Sequence, residues 1–256
     1  MVNHPDQTHA LAVKNISKNF GGVHAVRPTD FVVPVGERRA LIGPNGAGKT
    51  TLFNLITGEL KPDSGEINIF GTDITRKSIQ QRSRLGLGRT YQISQLFLEL
   101  SVEENLFLAG KTSKKFGFQF AKPWKKYGDE RKWASEVATQ VGLENHMQEK
   151  VSEISHGMQR QLEVGMAMAM RPRLIMLDEP AAGLSPSERV ILTGLIKNLP
   201  EEVTLILIEH DMEVVLGIAE RITVMNRGSI IAEGTPQEIR QNQEVQDVYL
   251  GSSSND

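Results

Sequence analysis

Apolar and polar residues alternate at the start of the chain. LAVKNIS (Leu11–Ser17), VHAV (Val23–Val26) and FVVPV (Phe31–Val35) read as short half-buried strands, broken by Gly21-Gly22 and by prolines. ERRALIG, ending at Gly43, reads as a buried strand. A helical period follows in TLFNLITGEL, with a stop at Gly58. KPDSG is a turn and EINIF another strand. Around Leu96 the texture changes. Ser101-Val102-Glu103-Glu104 is a capping box ahead of NLFLAG. ERKWASEVATQVG reads as a helix ending at Gly142, and EVGMAMAM as a helix stopped by Arg171-Pro172. The strand–helix rhythm then returns. RLIMLDE is a strand, and Ser185-Pro186-Ser187-Glu188 caps the helix RVILTGLIKNL. VTLILIEH is a strand leading to the helix DMEVVLGIAE. RITVMN and SIIAEG form a hairpin around Arg227-Gly228, and Thr235-Pro236-Gln237-Glu238 caps a last short helix. The expected fold is an α/β core with an antiparallel β patch at its N-terminus and an inserted, mostly helical middle third. GSSSND at 251–256 is expected to be disordered.

Composition narrows the picture. The chain has 256 residues, enough for one large domain. Lys and Arg number 29 against 31 for Asp and Glu, which argues against nucleic acid as a partner, since that requires a basic surplus or a concentrated basic face. The absence of cysteine excludes disulfides and thiolate metal sites. No apolar run approaches the roughly 18 residues of a membrane helix, and MVNHPDQTHA has no apolar segment of a secretory signal. The chain is expected to be cytosolic, with any membrane work depending on another polypeptide.

Three strand ends carry the candidate chemistry. Between a strand and a helix lies GPNGAGKT, which fits G-x-x-x-x-G-K-[ST] in full. Its residues Gly43, Pro44, Asn45, Gly46, Ala47 and Gly48 can curl so that successive N–H groups face phosphate oxygens, in front of a helix whose N-terminal dipole favours an anion. Lys49 is expected to reach the β- and γ-phosphates of a nucleotide, Thr50 to offer its hydroxyl to Mg²⁺, and Thr51 to touch a phosphate. Asp178-Glu179 ends the apolar run RLIMLD. A carboxylate at Asp178 suits Mg²⁺ held through water, and Glu179, one residue on, suits a general base for the attacking water. His210 closes VTLILIE. In an open parallel sheet, ligands bind beyond the carboxyl ends of the strands. Gly43, Asp178-Glu179 and His210 are therefore expected at one edge, with His210 bonding a γ-phosphate or holding the water. Ser155 is a good N-cap, and the backbone N–H groups of the residues after it, His156 and Gly157, open the helix MQRQLEVGMAMAM, where an anion can be received. Phe20 fits either the core or a stack on a nucleobase; Gln92 alone reads as a solvated side chain.

Taken in order, GPNGAGKT, Gln92, SHGMQ, LIMLDEP and His210 resemble the ATP-binding subunits of ABC transporters, over about residues 8 to 250. The resemblance implies a P-loop ATPase core (8–95 and 171–250) and a helical subdomain (96–170). It also implies that ISHGM stands at the family's LSGGQ signature. There Ile154 replaces leucine, His156 the first glycine and Met158 the glutamine. Family knowledge further implies a head-to-tail dimer, with the same subunit or a sister one. Ser155, His156 and Gly157 would close over the ATP bound by the partner. Phe20 would stack on adenine, and Gln92 would sense Mg²⁺ while touching the membrane permease. Ser185 stands where many members have aspartate. Glu179 and His210 are intact, which implies an active ATPase at the cytoplasmic face of a bacterial inner membrane, working with integral permease subunits and indirectly with a solute-binding protein.

Within that family, KNFGGVHAV, SHGMQRQLEVGM, LDEPAAGLSPSE, LILIEHDMEVV and VYLG resemble importers of branched-chain or other hydrophobic amino acids. Urea and short-amide importers are close, and lipopolysaccharide-export ATPases share the VYLG ending. A soluble ABC ATPase of translation or repair is a further reading, countered by the single P-loop and the lack of heptads. KTSKKFGFQFAKPWKKYGDERKW (111–133) interleaves lysines and aromatics; local packing, permease or headgroup contact, and nucleic-acid contact are all compatible with it.

Overall fold

The computed structural model describes residues 8–90, 96–112 and 128–252. Strand β1 (His9–Phe20) buries Leu11, Val13 and Ile16 and pairs antiparallel with β2 (Val23–Pro34), from His9↔Pro34 to Phe20↔Val23. VHAV and FVVPV are thus one strand rather than two. β2 tolerates Pro28 because it is an edge strand, in the order β2-β1-β4-β5, and the register shifts between its Val26 and Thr29 pairings. β4 (Ser64–Ile69) and the two-residue β5 (Thr72–Asp73) complete this antiparallel sheet.

The second sheet has the order β10-β9-β3-β8-β7-β6. β3 (Arg38–Ile42), β6 (Leu87–Arg89), β7 (Leu174–Asp178), β8 (Thr204–Ile208) and β9 (Arg221–Asn226) are parallel; β10 (Ser229–Gly234) returns antiparallel as the expected hairpin. β3, β7 and β8 are buried at every position, so both faces of these strands need cover. Alternation assigns the faces. Leu174, Met176, Ile206 and Ile208 pack with Leu11, Phe31, Leu52, Phe53 and Ile67, beneath helix α1 (Lys49–Thr57) and the antiparallel sheet. Ile175, Leu177, Leu205 and Leu207 pack on the opposite side with the helical residues.

Those helices are α3 (Val102–Thr112), α4 (Gly128–Gln140), α5 (His156–Ala169) and α6 (Pro186–Lys197). Val102, Leu106, Val137, Val141, Leu162 and Leu192 share one apolar cluster. Ser101 and Glu104 cap α3 reciprocally, at 2.8 and 3.2 Å, as their spacing predicts. At the end of the stretch 111–133, Trp133 packs locally: its Nε1 donates to Ala169 O at 3.0 Å, and the Arg171 guanidinium lies 4.4 Å from the ring centroid. Residues 113–127 lie outside the described residues.

Beyond the expected elements are β5, β6, α2 (Ile79–Arg84) and α9 (Gln243–Ser252), which follows α7 (Met212–Ile218) and α8 (Pro236–Gln241). α9 ends at Ser252, and residues 253–256 of the expected tail lie outside the described residues. α2 exists for Arg82. Its side chain is 2% exposed; Nη1 donates to Leu55 O and Ile56 O at 2.6 Å, Nε to Lys77 O at 3.0 Å, and Nη2 to Thr75 O at 3.2 Å. The first two are carbonyls from the end of α1, which no later helical amide satisfies. Burial pulls the guanidinium down to about 10, leaving it charged at neutral pH. Arg82→Met fills the volume but strands those carbonyls. It is expected to destabilise the fold by about 2–4 kcal/mol, read as a calorimetric melting drop of roughly 5–10 °C; an unchanged melting temperature would rule out this bracing role.

Candidate nucleotide site

β3 delivers the chain to the loop at Gly43, and the next helix begins at Lys49. Gly43 has φ 149°, and a Cβ there would collide with the Met225 carbonyl, so only glycine fits. Asn45 and Gly46 are exposed at the crest of the loop, while Ala47 is buried in the core. α1 has Gly48 as its N-cap and no side-chain cap, which leaves its first amides available to an anion. Thr50 and Thr51 stand half-buried in its first turn. The Lys49 side chain folds back across the loop: Nζ donates to Gly43 O at 2.7 Å and Pro44 O at 3.1 Å. Burial lowers its pKa, and the facing Glu179 and Asp178 oppose that fall.

β8 lies between β3 and β7, so the three parallel strands present their carboxyl ends side by side. Asp178 ends β7 and is 7% exposed. Its carboxyl is pushed up to about 6, first by burial and then by Glu179; Lys49 pulls it down, and Glu209 adds a smaller upward push. Asp178 Oδ1 is buried and has no hydrogen-bond partner. An orphaned, buried, strained-upward carboxylate beside a threonine-bearing phosphate loop fits a hard divalent cation such as Mg²⁺. Among the described residues no cluster of three or more histidine or acidic residues could hold a metal by itself, as suits an ion that takes most of its ligands from substrate and water.

Glu179 adopts φ 47°, an uncommon backbone state for a non-glycine residue. Its N–H donates to Ile208 O at 2.9 Å, tying the turn after β7 to the end of β8. β8 stops at Ile208, two residues before His210. The His210 side chain is 65% exposed, and its Nδ1 lies 3.6 Å from Glu179 Oε1. Lys49, Asp178, Glu179 and His210 therefore meet at one edge.

Glu209 belongs with them, although sequence reasoning passed over it. It is 1% exposed; Oε1 accepts Ala181 N–H at 2.9 Å and Oε2 accepts His210 N–H at 3.2 Å. Burial raises its pKa, against those amides. It fixes the two turns that carry Glu179 and His210. Its signal was present in the sequence as an acid directly after the apolar run TLILI.

The remaining expected residues divide. Phe20 ends β1 with 46% exposure, which excludes the core reading; the Lys18 ammonium lies 5.5 Å from its ring centroid. Its hairpin lies alongside the phosphate loop, since a Cβ on Gly48 would collide with the Ala25 carbonyl. Gln92 lies outside the described residues. Ser155 caps α5, accepting Met158 N–H at 3.3 Å. His156 begins that helix and is not among the residues with positive φ, so replacing glycine there costs no backbone strain. Among the described residues no hydrogen bond joins Ser155, His156 or Gly157 to the phosphate loop. Their neighbours lie after β7: His156 Cε1 sits by Gly183, and the Glu188 carboxylate, itself in a capping box with Ser185, lies so close to Gly157 that a Cβ there would strike it.

The chain matches the family model described as "ABC transporter" over residues 26–182, and "Branched-chain amino acid ATP-binding cassette transporter" over residues 229–254. It is 41% identical over 253 residues to the high-affinity branched-chain amino acid transport ATP-binding protein LivG of Salmonella typhimurium, covering 95% of this chain and 98% of that one. Among solved structures, the ADP conformation of MJ1267, an ATP-binding cassette of an ABC transporter, superposes with TM-score 0.83 at 32% identity, covering 95% and 99%. The dimeric post-hydrolysis state of the cassette MJ0796, bound to ADP and Pi, gives TM-score 0.75 at 25% identity, covering 88% and 98%. The chain thus belongs to the ATP-binding subunits of ABC transporters, within the group that includes the branched-chain amino acid cassettes.

Proposed function

We propose that this chain hydrolyses ATP to drive uptake of branched-chain or other hydrophobic amino acids, as a peripheral subunit on the cytoplasmic face of the membrane. Among the described residues no helix is long and apolar enough to cross a membrane, so the solute path belongs to permease subunits. The observation that carries the reading is the meeting of Lys49, the orphaned Asp178 carboxylate, Glu179 and His210 at the ends of three adjacent parallel strands. The amino-acid preference rests on the resemblance to LivG and on the C-terminal match.

In this reading the loop amides and the uncapped end of α1 receive the β- and γ-phosphates. Lys49 exchanges the Gly43 and Pro44 carbonyls for phosphate oxygens. Thr50 and Asp178, with Gln92, hold Mg²⁺, which when bound neutralises charge on the phosphates. Glu179 takes the proton of the attacking water, and His210, 3.6 Å away, orients that water toward the γ-phosphate. Phe20 stacks on adenine. Ser155, His156 and Gly157 serve the nucleotide of a second subunit, whether a second copy or a sister chain.

Reconstitution in proteoliposomes with a branched-chain amino acid permease pair and its binding protein tests the reading. ATP-dependent uptake of radiolabelled leucine is expected. Turnover stimulated by a urea-loaded binding protein and indifferent to leucine would overturn the solute assignment.

A further inference from the structure

Glu179 and His210 stand on separate turns, one after β7 and one after β8. Two side chains tie those turns together. The buried tie is Glu209, whose Oε1 reaches from the β8 turn to accept Ala181 N–H at 2.9 Å. Nearer the solvent a second tie runs the other way. Arg189, at the end of the first turn of α6, donates from Nη1 to Asp211 Oδ2 in an ion pair. Asp211 immediately follows His210 and is the N-cap of α7; its Oδ1 accepts Glu213 N–H at 2.9 Å and Val214 N–H at 3.4 Å. Both oxygens of Asp211 are thus committed, one to the start of α7 and one to α6. The helices behind them are closely packed. Leu192 and Ile196 of α6 share an apolar cluster with Val214 and Ile218 of α7, and a Cβ on Gly217 would strike the Thr193 methyl.

We propose that Arg189 is a positioning residue for hydrolysis: through Asp211 it fixes the turn of His210 against the segment that carries Glu179, and so sets the 3.6 Å approach of those two side chains. The His210 imidazole is mostly exposed, so its aim depends largely on the backbone that carries it. That backbone is held on both sides of the histidine side chain: Glu209 Oε2 accepts His210 N–H at 3.2 Å, and Asp211 anchors the next residue. The pair is charged at neutral pH. Burial alone would raise the Asp211 carboxyl, but the Arg189 guanidinium and the two α7 amides hold it below the ordinary carboxylate value. Arg189 Nε is buried without a hydrogen-bond partner, so the burial of the guanidinium is compensated at Nη1, by the Asp211 carboxylate. A partly exposed ion pair contributes little to global stability, whereas misplacing a reacting group by about 1 Å can cost roughly 10²-fold in rate. The role therefore predicts turnover lost without loss of stability or of ATP affinity, because Lys49 and the loop amides lie on β3 and α1 and not on these turns.

The inference rests on the proposed ATPase reading, and its test keeps the two apart. Arg189→Met removes the charge and keeps most of the side-chain length. Asp211→Asn removes the charge and keeps an acceptor for the cap of α7. In the full chain each is expected to lower kcat about five- to twentyfold, with KM for ATP within about twofold and the melting temperature within about 2 °C. The double variant is expected to turn over no more slowly than the slower single one, because both changes break the same tie. In nucleotide-free Arg189→Met labelled with ¹³C-histidine, relaxation of the His210 imidazole is expected to show greater motion, while His24, remote from these turns, stays as in wild type. An unchanged kcat, a multiplied loss in the double variant, an unaltered His210 relaxation, or a loss of kcat in step with melting temperature would each overturn the positioning role. Wild-type protein that hydrolysed no ATP would instead refute the ATPase reading, and the His210 relaxation would still judge the brace itself.

Discussion

Replacing Glu179 by glutamine is expected to lower steady-state ATP hydrolysis by about 10²–10⁴-fold, the usual contribution of a positioned general base, while ATP binding persists. The amide matches the carboxylate in size and makes no demand on the backbone beyond the φ of 47° that Glu179 already adopts. What it loses is basicity, 3.6 Å from His210 Nδ1. It also removes one negative charge from a site that faces a polyphosphate. Glu179 helps push the Asp178 carboxyl up and helps keep Lys49 protonated, so the variant should bind ATP at least as well as wild type. Equilibrium binding of a fluorescent ATP analogue and phosphate release, measured on the same preparation, check both halves. Turnover near that of wild type would remove Glu179 from the role of base. Parallel loss of binding and turnover would show that its charge, not its basicity, organises the site.

Much of this site was legible because its information is local. The phosphate loop is eight consecutive residues, and Asp178-Glu179 is a doublet at the end of one apolar run. The capping boxes at Ser101, Ser185 and Thr235 span four residues each, and all three form. The shared edge was also within reach, because apolar strands separated by helices imply a parallel sheet whose carboxyl ends align. The parts that were not legible depend on distant partners. α2 is six residues long and is held by Arg82 reaching carbonyls of α1, and no local pattern announces it. α9 shows only Val245, Val248, Tyr249 and Leu250 as apolar positions in a polar stretch, and its helix is secured by packing against α8 and β10. Phe20 illustrates the same limit for a single side chain. An aromatic at a strand end is compatible with core or surface until the register with Val23 places it at the tip of a hairpin. Glu209 acts by bracing the turn at Ala181, far away in sequence, so its work becomes visible only in three dimensions.

Asp178→Asn should abolish Mg²⁺-dependent hydrolysis and, at the same time, stabilise the nucleotide-free fold at neutral pH. Both effects follow from one buried carboxylate. Its pKa stands at about 6 against an ordinary 3.8, so the folded chain holds the proton more tightly than the unfolded chain. The stabilisation from that proton is fully present below the ordinary value and is lost as pH rises through about 6. Above pH 6 the fold therefore carries an ionised carboxylate in a site 7% exposed, with Oδ1 unpartnered, at a cost on the order of 3 kcal/mol at about 1.4 kcal/mol per pKa unit. Asparagine cannot ionise and escapes most of that cost, although its amide still lacks a full set of partners. The variant is expected to melt several degrees above wild type at pH 8, with the gap closing toward pH 5. Ligand should invert the order. In wild type, ATP with Mg²⁺ should raise the melting temperature more than ATP with chelator, because the divalent cation compensates the carboxylate. In the variant that difference should vanish, and hydrolysis should fall by at least about 10²-fold, the scale of losing charge stabilisation at a transferring phosphoryl group. Equal melting curves across this pH range would contradict the raised carboxyl, and an undiminished response to Mg²⁺ would take Asp178 out of the metal site. A residue that destabilises the empty protein and is repaid only when substrate and ion arrive is the mark of a site selected for turnover over stability.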